Sequence, residues 1–563
     1  MAERSRKCFC QTRSGPQGGE LLPRIGRQGI ARHLSSVKTR RPHSASLSWS
    51  TERVSLGAVV CPIARCQVGL LGGGCGRRAA VRRQPLPSWW VVCGARRASG
   101  AIDLSGAERG RATAHPRWRA SRASSHSLTK VATMSIDVRR PLAVDLFAGA
   151  GGLSLGLEEA GYEIAGAVEY DPIHAAVHEF NFPYGKTFCA DVAKITGEQI
   201  REKSEIGDRE IHLVAGGPPC QGISMIGRRA IDDPRNALLK EFVRVVLELQ
   251  PRYFLMENVA GLMVGKHRQL LDEVVEMFET SGEYNVLTPV KVLQAADYGT
   301  PQSRRRMILL GARKGLALPA YPEATHTPRT IKGVLPEAAE LPLGPSVLDA
   351  LGDLPDADGY DELLHDDNVE GVVYSKASKY AARLRGIESD PADFSRPRPR
   401  VDALTSSART VHTKKSIDRF RSAQPGTAES VSRFLRLHPE GLSNTLRAGT
   451  ASDRGAYTAP RPIHPIYPRV ITVREAARLH GYPDWFRFHV TKWNGFREIG
   501  NSVPARLGRA IGAALLEADA VTPTRGRPVR LGSTELLYMT AGQAHEHFGL
   551  TERVIPQRDR KVG

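Results

Sequence analysis

Between residues 141 and 313 the chain alternates two kinds of apolar pattern. PLAVDLF (141–147) precedes LSLGLEEAG, EIAGAVEY (163–170) precedes PIHAAVHEF, IHLVAGG (211–217) precedes NALLKEFVRVVLELQ, and YFLMENV (253–259) precedes RQLLDEVVEMFETSG. The first member of each pair is a short run apolar on both faces; the second is apolar only at helical spacing. A further short strand is expected around Phe188, and another at MILLGAR (307–313). Strand and helix in strict alternation predict a parallel sheet with both faces covered by helices. Such sheets bind ligands in the crevice at the C-terminal strand ends, so those ends are where chemistry is sought.

The rhythm breaks at 314 and stays irregular to about 440, through proline clusters, SRPRPR (395–400) and HTKKSIDRFR (412–421). This stretch is read as a second, smaller domain. Order resumes with TVREAARLHGYPDWF (472–486) and GNSVPARLGRAIGAALLEAD (500–519). The division is therefore 134–313 for the strand-and-helix half, 314–440 for the smaller domain, 441–519 for a return to the first half, and 520–563 for a tail with a small helical annex.

Charge changes the picture only at the start. The formal net charge is +20, but residues 1–133 hold 24 Lys/Arg against 5 Asp/Glu, leaving 55 against 54 for the rest. A nucleic-acid surface on the ordered part must therefore be local. Residues 1–133 are rich in Arg, Ser and Gly and lack sustained periodicity, a composition that does not bury a core. The segment is read as a disordered extension or a mis-assigned start upstream of Met134, with a DNA-holding arm and a transit peptide as rival readings. Six of the eight cysteines lie there without CxxC pairing, so no metal site is expected. Two cysteines over the remaining length suit a reducing cytosol. No apolar run is long enough to span a bilayer.

The strand ends carry the candidate chemistry. After the first comes Asp145-Leu-Phe-Ala-Gly-Ala-Gly-Gly152, whose glycines let backbone approach a ligand closely. The next two expected strands end near Glu169 and Asp191, carboxylates at the places where a nucleoside would need acceptors. The fourth runs into Gly216-Gly-Pro-Pro-Cys220-Gln-Gly-Ile-Ser224, where the prolines stiffen a loop that presents the Cys220 thiol at the crevice. No histidine base can be assigned to it, so amide hydrolysis is disfavoured. The fifth ends with Glu257 and Asn258, and a carboxyl group there could protonate a ring nitrogen while the sulfur attacks ring carbon. In Pro301-Gln-Ser-Arg-Arg-Arg306, alternation places Gln302, Arg304 and Arg306 on one side and Arg305 on the other.

DLFAGAGG, GGPPCQGIS, ENV, PQSRRR and GNSVP, in this order over about residues 141–515, resemble the DNA cytosine-5 methyltransferases of bacterial restriction-modification systems. The resemblance implies a Rossmann-like α/β methyltransferase sheet with a smaller, irregular target recognition domain at 314–440. It implies S-adenosylmethionine as cofactor, held by Asp145, Phe147, the Gly149, Gly151 and Gly152 turn, Glu169, Asp191, Pro219, Asn501, Ser502 and Val503, with Asp171 a neighbour. Cys220 is then the nucleophile toward C6 of a flipped cytosine, Glu257 holds N3 and the amine, and Arg304, with Arg306, holds the O2 side. Ile223 stands where the family usually has Phe. The implied partner is double-stranded DNA, met by a monomer in a bacterial cytoplasm and nucleoid, with a cognate restriction endonuclease acting separately. A tRNA methyltransferase on the same scaffold and a DNA-binding regulator without chemistry are the alternatives; the long variable segment and intact Cys220, Glu257 and Arg304 argue against them. The DNA word and its readers are not legible.

Overall fold

In the computed structural model the described residues are 137, 139–219, 237–335, 338–449 and 461–552, so the segment 1–133, Met134 and Cys220 lie outside them. Five strands, β1 (Leu142–Leu146), β2 (Glu163–Glu169), β3 (Lys186–Cys189), β4 (Ile211–Gly216) and β5 (Tyr253–Val259), run parallel in the order β3-β2-β1-β4-β5. Strand order reverses between β1 and β4, which places the ligand crevice beside the loops that follow these two strands.

The expectation of an all-parallel sheet needs correction at one edge. Strand β8 (Arg305–Arg313) lies antiparallel to β5, and β6 (Tyr284–Val286) and β7 (Lys291–Gln294) both pair antiparallel with β8. The link from β7 to β8 holds only residues 295–304, and a parallel return needs a longer crossover. The strand also begins two residues before the apolar run that predicts it.

The helices that follow the strands are α1 (Gly152–Ala160), α2 (Pro172–Asn181), α3 (Gly197–Lys203), α4 (Ala237–Leu249) and α5 (Arg268–Ser281). Later come α6 (Val347–Leu351), α7 (Lys379–Leu384), α8 (Lys414–Ser422), α9 (Val473–His480), α10 (Lys492–Asn501), α11 (Ala505–Ala518), α12 (Glu535–Tyr538) and α13 (Ala541–His547). Period-two alternation sorts the strand side chains between two cores. Ala143, Leu213, Leu255 and Ile308 pack with Leu155, Ile511 and Leu515 from α1 and α11, while Val144, Val214, Phe254 and Leu309 pack with Phe242, Val246 and Leu271 from α4 and α5. A Cβ on Gly156 would stand 2.4 Å from the Ala505 carbonyl oxygen, so this glycine is what lets α11 lie against α1 and bring the late segment back beside the first loop.

The 314–440 stretch is not one independent body. Val347, Leu351, Tyr380, Leu384 and Leu404 join the first core, and Arg396 and Arg398 pair with Glu163 and Glu158. Both Glu158 and Arg398 are wholly buried at 2.8 Å, and Arg398 also stacks 4.0 Å from the Trp485 ring. These two arginines of SRPRPR are therefore committed to the fold. A separate small core gathers Phe420, Ile463 and Val470, with Phe434 against it. In the tail, Leu536 and Leu537 seat α12 on Ala176, Val177 and Phe180 of α2.

Candidate active site

The loop after β1 is held by the end of β2. Glu169 accepts the Gly149 N–H at 2.8 Å with one oxygen and the Asp171 N–H at 2.9 Å with the other. Phe147 sits half-buried at φ +59°, a left-handed conformation uncommon for a bulky residue, and Gly149 follows at φ +58°. The three glycines of the turn differ in what surrounds them. A Cβ on Gly149 would meet nothing within 4 Å, whereas one on Gly151 would meet Phe182 at 2.4 Å and one on Gly152 would meet Tyr482, Ser502 and Val503 at 2.5–2.7 Å. Gly149 thus lines an open cradle, and Gly151 and Gly152 exist for packing.

Asp145 faces away from that cradle. It is buried and accepts the Ser154 hydroxyl at 2.6 Å; Ser154 Oγ lies 3.0 Å from His178 Nε2, and His178 Nδ1 lies 3.0 Å from Thr187 Oγ1. The chain is satisfied when neutral His178 donates from Nε2 and accepts at Nδ1. Burial pushes Asp145 up to about 7 and His178 down to about 3. Its place in the first motif suggests a cofactor ligand; in the structure it braces the loop from behind. Asp191, on the loop after β3, is half-buried and accepts the Ala193 N–H at 3.0 Å. Because β2 and β3 are neighbours, Glu169 and Asp191 stand at adjacent strand tips.

The approach to Cys220 is described up to half-buried Pro219. Asn258 Nδ2 donates to the Pro218 carbonyl at 3.1 Å, and a Cβ on Gly217 would lie 3.0 Å from Glu257 Oε2. The β4 loop therefore runs directly past the end of β5. Glu257 itself is nearly buried and meets Arg306 Nε at 2.5 Å.

Alternation along 302–306 is as expected, with Arg305 exposed, but depth separates the three residues of the other side. Arg304 is 1% exposed and donates to the carbonyls of Leu446, Gly500 and Ser502, each at 2.8 Å. Gln302 accepts the Leu446 N–H at 3.1 Å and reaches His480 Nδ1 at 3.0 Å, whose Nε2 lies 3.0 Å from Ser502 Oγ. Arg304 thus gives both terminal nitrogens to backbone carbonyls while its buried Nε has no hydrogen-bond partner, and Arg306 is the guanidinium beside Glu257. His480, Tyr482 and Leu446 complete this anchor and were missed, since in LHGYP and TLRAG they read only as helix and turn. In the late motif Asn501 is exposed, Ser502 is turned toward His480, and Val503 is buried.

The crevice thus offers an open glycine turn, a half-exposed Phe147 ring, the carboxylates Glu169 and Asp191, and exposed Asn501. Carboxylates at strand tips suit ribose hydroxyls and a cationic sulfonium, so the residues fit S-adenosylmethionine.

The model of the C-5 cytosine-specific DNA methylase family matches residues 143–517. Type II methyltransferase M.XorII of Xanthomonas oryzae pv. oryzae is 53% identical over 427 residues, covering 75% of this chain and 96% of its own length. Type II methyltransferase M1.HphI of Haemophilus parahaemolyticus is 31% identical over 67% of this chain and 87% of its own. A solved E. coli structure, described as a DNA modification methyltransferase encoded within a prophage, matches with TM-score 0.52 and 33% identity, over 68% of this chain and 99% of that one. The chain belongs to the C-5 cytosine-specific DNA methylase family, and its methyl donor is S-adenosylmethionine.

Proposed function

We propose that the protein methylates C5 of one cytosine within a specific short DNA word, through covalent addition of Cys220 to C6 of a base flipped out of the duplex. C5 and C6 cannot be reached inside the stack, and extruding the base costs a few kcal/mol that contacts with the protein must offset. A thiol of ordinary pKa about 8.5 is mostly protonated at neutral pH, so the site must favour the Cys220 thiolate.

The thiolate forms a bond to C6 while the ring's electron pair moves toward C5 and N3, and a proton at Glu257 settles on N3. Arg306 lies beside Glu257 and keeps that carboxyl oriented toward the ring. S-adenosylmethionine supplies, when bound, an electrophilic methyl group. Once C5 carries the methyl group, loss of the C5 proton to a base restores the C5–C6 double bond as the C6–S bond breaks, and N3 returns its proton to Glu257, which regenerates both the thiolate and the carboxylic acid. Glu169, Asp191, Phe147 and Asn501 hold the donor; Gly149 leaves it room.

The observation that carries this reading is the Glu257–Arg306 pair, nearly buried and set against the Gly217–Pro219 loop that leads into Cys220. As the modification member of a restriction-modification pair the enzyme works as a monomer in the bacterial cytoplasm on the nucleoid, and a separate nuclease cuts the unmethylated word. The relatives named as Type II methyltransferases support that setting.

The test is base-resolution 5-methylcytosine mapping in a methylation-free host that expresses the chain, in parallel with Cys220→Ala. Methylation at one short word, lost in Cys220→Ala while DNA binding persists, is the expected result. Wild-type turnover by Cys220→Ala would overturn the mechanism.

A further inference from the structure

The residues that read the DNA word can be narrowed by what the fold has already used. Within 314–440, Arg396 and Arg398 are committed to buried glutamates, and Arg385 stacks 3.7 Å over the Tyr374 ring while facing Asp353. Basic residues gather farther on, at 411–436, where six Lys/Arg stand against two acids and Lys414, Lys415, Arg421 and Arg433 are exposed.

Residues 426–436 form a hairpin. Gly426 N–H donates to the Arg436 carbonyl at 2.7 Å, Ala428 bridges Leu435 antiparallel, and Glu429 N–H donates to the Phe434 carbonyl at 2.8 Å. Its tip is rigid for a local reason: the Glu429 carboxylate accepts the N–H groups of Val431 and Ser432 at 3.0 and 2.6 Å and the Ser432 hydroxyl at 2.6 Å. That turn puts Arg433 at φ +59°. A left-handed arginine is costly, and such outliers persist where the surroundings enforce them for use. Arg433 is exposed, with no ion-pair partner among the described residues, and Val431 beside it is 65% exposed. A rigid tip that presents a bare guanidinium and a bare aliphatic side chain has no use for its own fold.

The hairpin is mounted next to α8. Phe434 packs on the small core of Phe420, Ile463 and Val470, and Arg436 donates to the carbonyls of Phe420, Arg421 and Ala423 at the end of α8. Between helix and hairpin runs an open groove of about 740 Å³ lined by Lys414, Lys415, Arg419, Gln424, Thr427 and Ser430. Lys414 is almost fully exposed, and its pairing with Asp418 at 3.3 Å is a surface contact that water competes with readily. After Arg436 the chain continues to Ser443, which bridges Gln302, and to Leu446, whose carbonyl Arg304 holds, so the hairpin hangs from the wall of the active site.

We propose that the 429–434 tip enters a groove of the DNA with Arg433 reading a base edge, while Lys414 and Lys415 of α8 hold flanking phosphates. The proposal rests on the reading of the protein as a methyltransferase of duplex DNA. A major groove admits a two-stranded ribbon, guanidinium pairs bidentately with guanine O6 and N7, and an aliphatic side chain suits the thymine methyl. Phosphate contacts hold the register without specifying sequence.

The experiment uses the full chain, duplexes carrying the mapped word and its single-base variants, and genomic methylation maps. Arg433→Gly removes the side chain while suiting the left-handed backbone, and Arg433→Asn is a second variant that tolerates the same φ. Both should lower kcat/KM on the proper word about 10- to 100-fold and extend methylation to words that differ at one position, with KM for S-adenosylmethionine unchanged. Lys414→Ala/Lys415→Ala should raise KM for every duplex alike, keep the word, and lower the slope of log affinity against log salt by about 2. An unchanged word and specificity constant in both Arg433 variants would overturn the base-reading assignment, and an unchanged salt slope would overturn the phosphate assignment. A wild-type enzyme that methylates no duplex would instead overturn the functional reading beneath, and this inference with it.

Discussion

Glu257 and Arg306 meet at 2.5 Å across the antiparallel pair β5 and β8, where the five parallel strands give way to the antiparallel edge. An antiparallel neighbour lets a residue at the start of β8 sit beside the C-terminal end of β5; a parallel one would have brought its own C-terminal end there. The pair is therefore a product of the sheet edge. Glu257→Gln keeps the size of the side chain and removes its proton chemistry, and kcat in single-turnover methylation should fall by about 10² or more. Cofactor binding, measured by calorimetry, should stay as in the wild type. A kcat within twofold of wild type would mean that the proton reaches N3 from elsewhere.

Arg304 and Arg306 should separate in their effects although two residues apart. Arg304→Ala leaves the buried carbonyls of Leu446 and Gly500 without this donor and takes one from Ser502, and a loss of about 3 kcal/mol or more of stability follows, read as a large fall in Tm. Lys is not a substitute, because one ammonium cannot span the fork that guanidinium spans. Arg306→Ala loses a single, partly exposed ion pair, so it should lower Tm less than Arg304→Ala does and lower kcat. Equal thermal stability in the two variants would contradict the division of roles.

This contrast shows where sequence reading stops. The repeated strand-then-helix pattern of 141–259 is enough to expect β1, β2, β4 and β5 and a crevice at their ends, because buried strands and amphipathic helices have different periods. The direction of β8 is not in that pattern, since an apolar run looks the same either way. Two-residue spacing puts Arg304 and Arg306 on one side, but depth depends on Leu446 and Ser502, far along the chain. Asp145 shows the same limit: nothing in DLFAGAGG tells that its carboxylate accepts the Ser154 hydroxyl nine residues on. The glutamates that hold Arg396 and Arg398 lie more than 200 positions earlier, so nothing within SRPRPR reveals these pairs.

The glycine turn gives a second separation. Gly152→Ala drives a methyl group into the Val503 carbonyl and Ser502, backbone and side chain of a packed helix start, and should cost about 1–3 kcal/mol of stability. Gly149→Ala has open space around it but a left-handed φ, so it should fold with a smaller loss. Its methyl group points into the cradle, and KM for S-adenosylmethionine should rise about tenfold, equivalent to about 1.4 kcal/mol. The reverse order, with Gly152→Ala the binding variant, would move the cofactor to the other side of the turn.

Asp145 makes a prediction about pH whose sign follows from its burial. Burial raises the carboxyl to about 7, the Ser154 hydrogen bond pulls it down, and the Glu169 charge raises it further. An unfolded Asp titrates near 3.9, so between about pH 4 and 7 the unfolded chain binds fewer protons at this residue than the folded one. Stability from this group is thus full below about pH 4 and is lost as pH rises toward 7, by an amount on the order of 3–4 kcal/mol. Glu159, raised to about 8, and Glu498, raised to about 7, act in the same direction, while His178, lowered to about 3, acts in the opposite one. Comparing Asp145→Asn with wild type cancels those contributions, and the Asn side-chain oxygen still accepts from Ser154. The variant should gain stability relative to wild type as pH rises from about 5 to 7 and level off above that, as measured by denaturant titration at each pH. A difference that stays flat across that range would place a charged Asp145 in the native protein, with a buried partner for it other than Ser154.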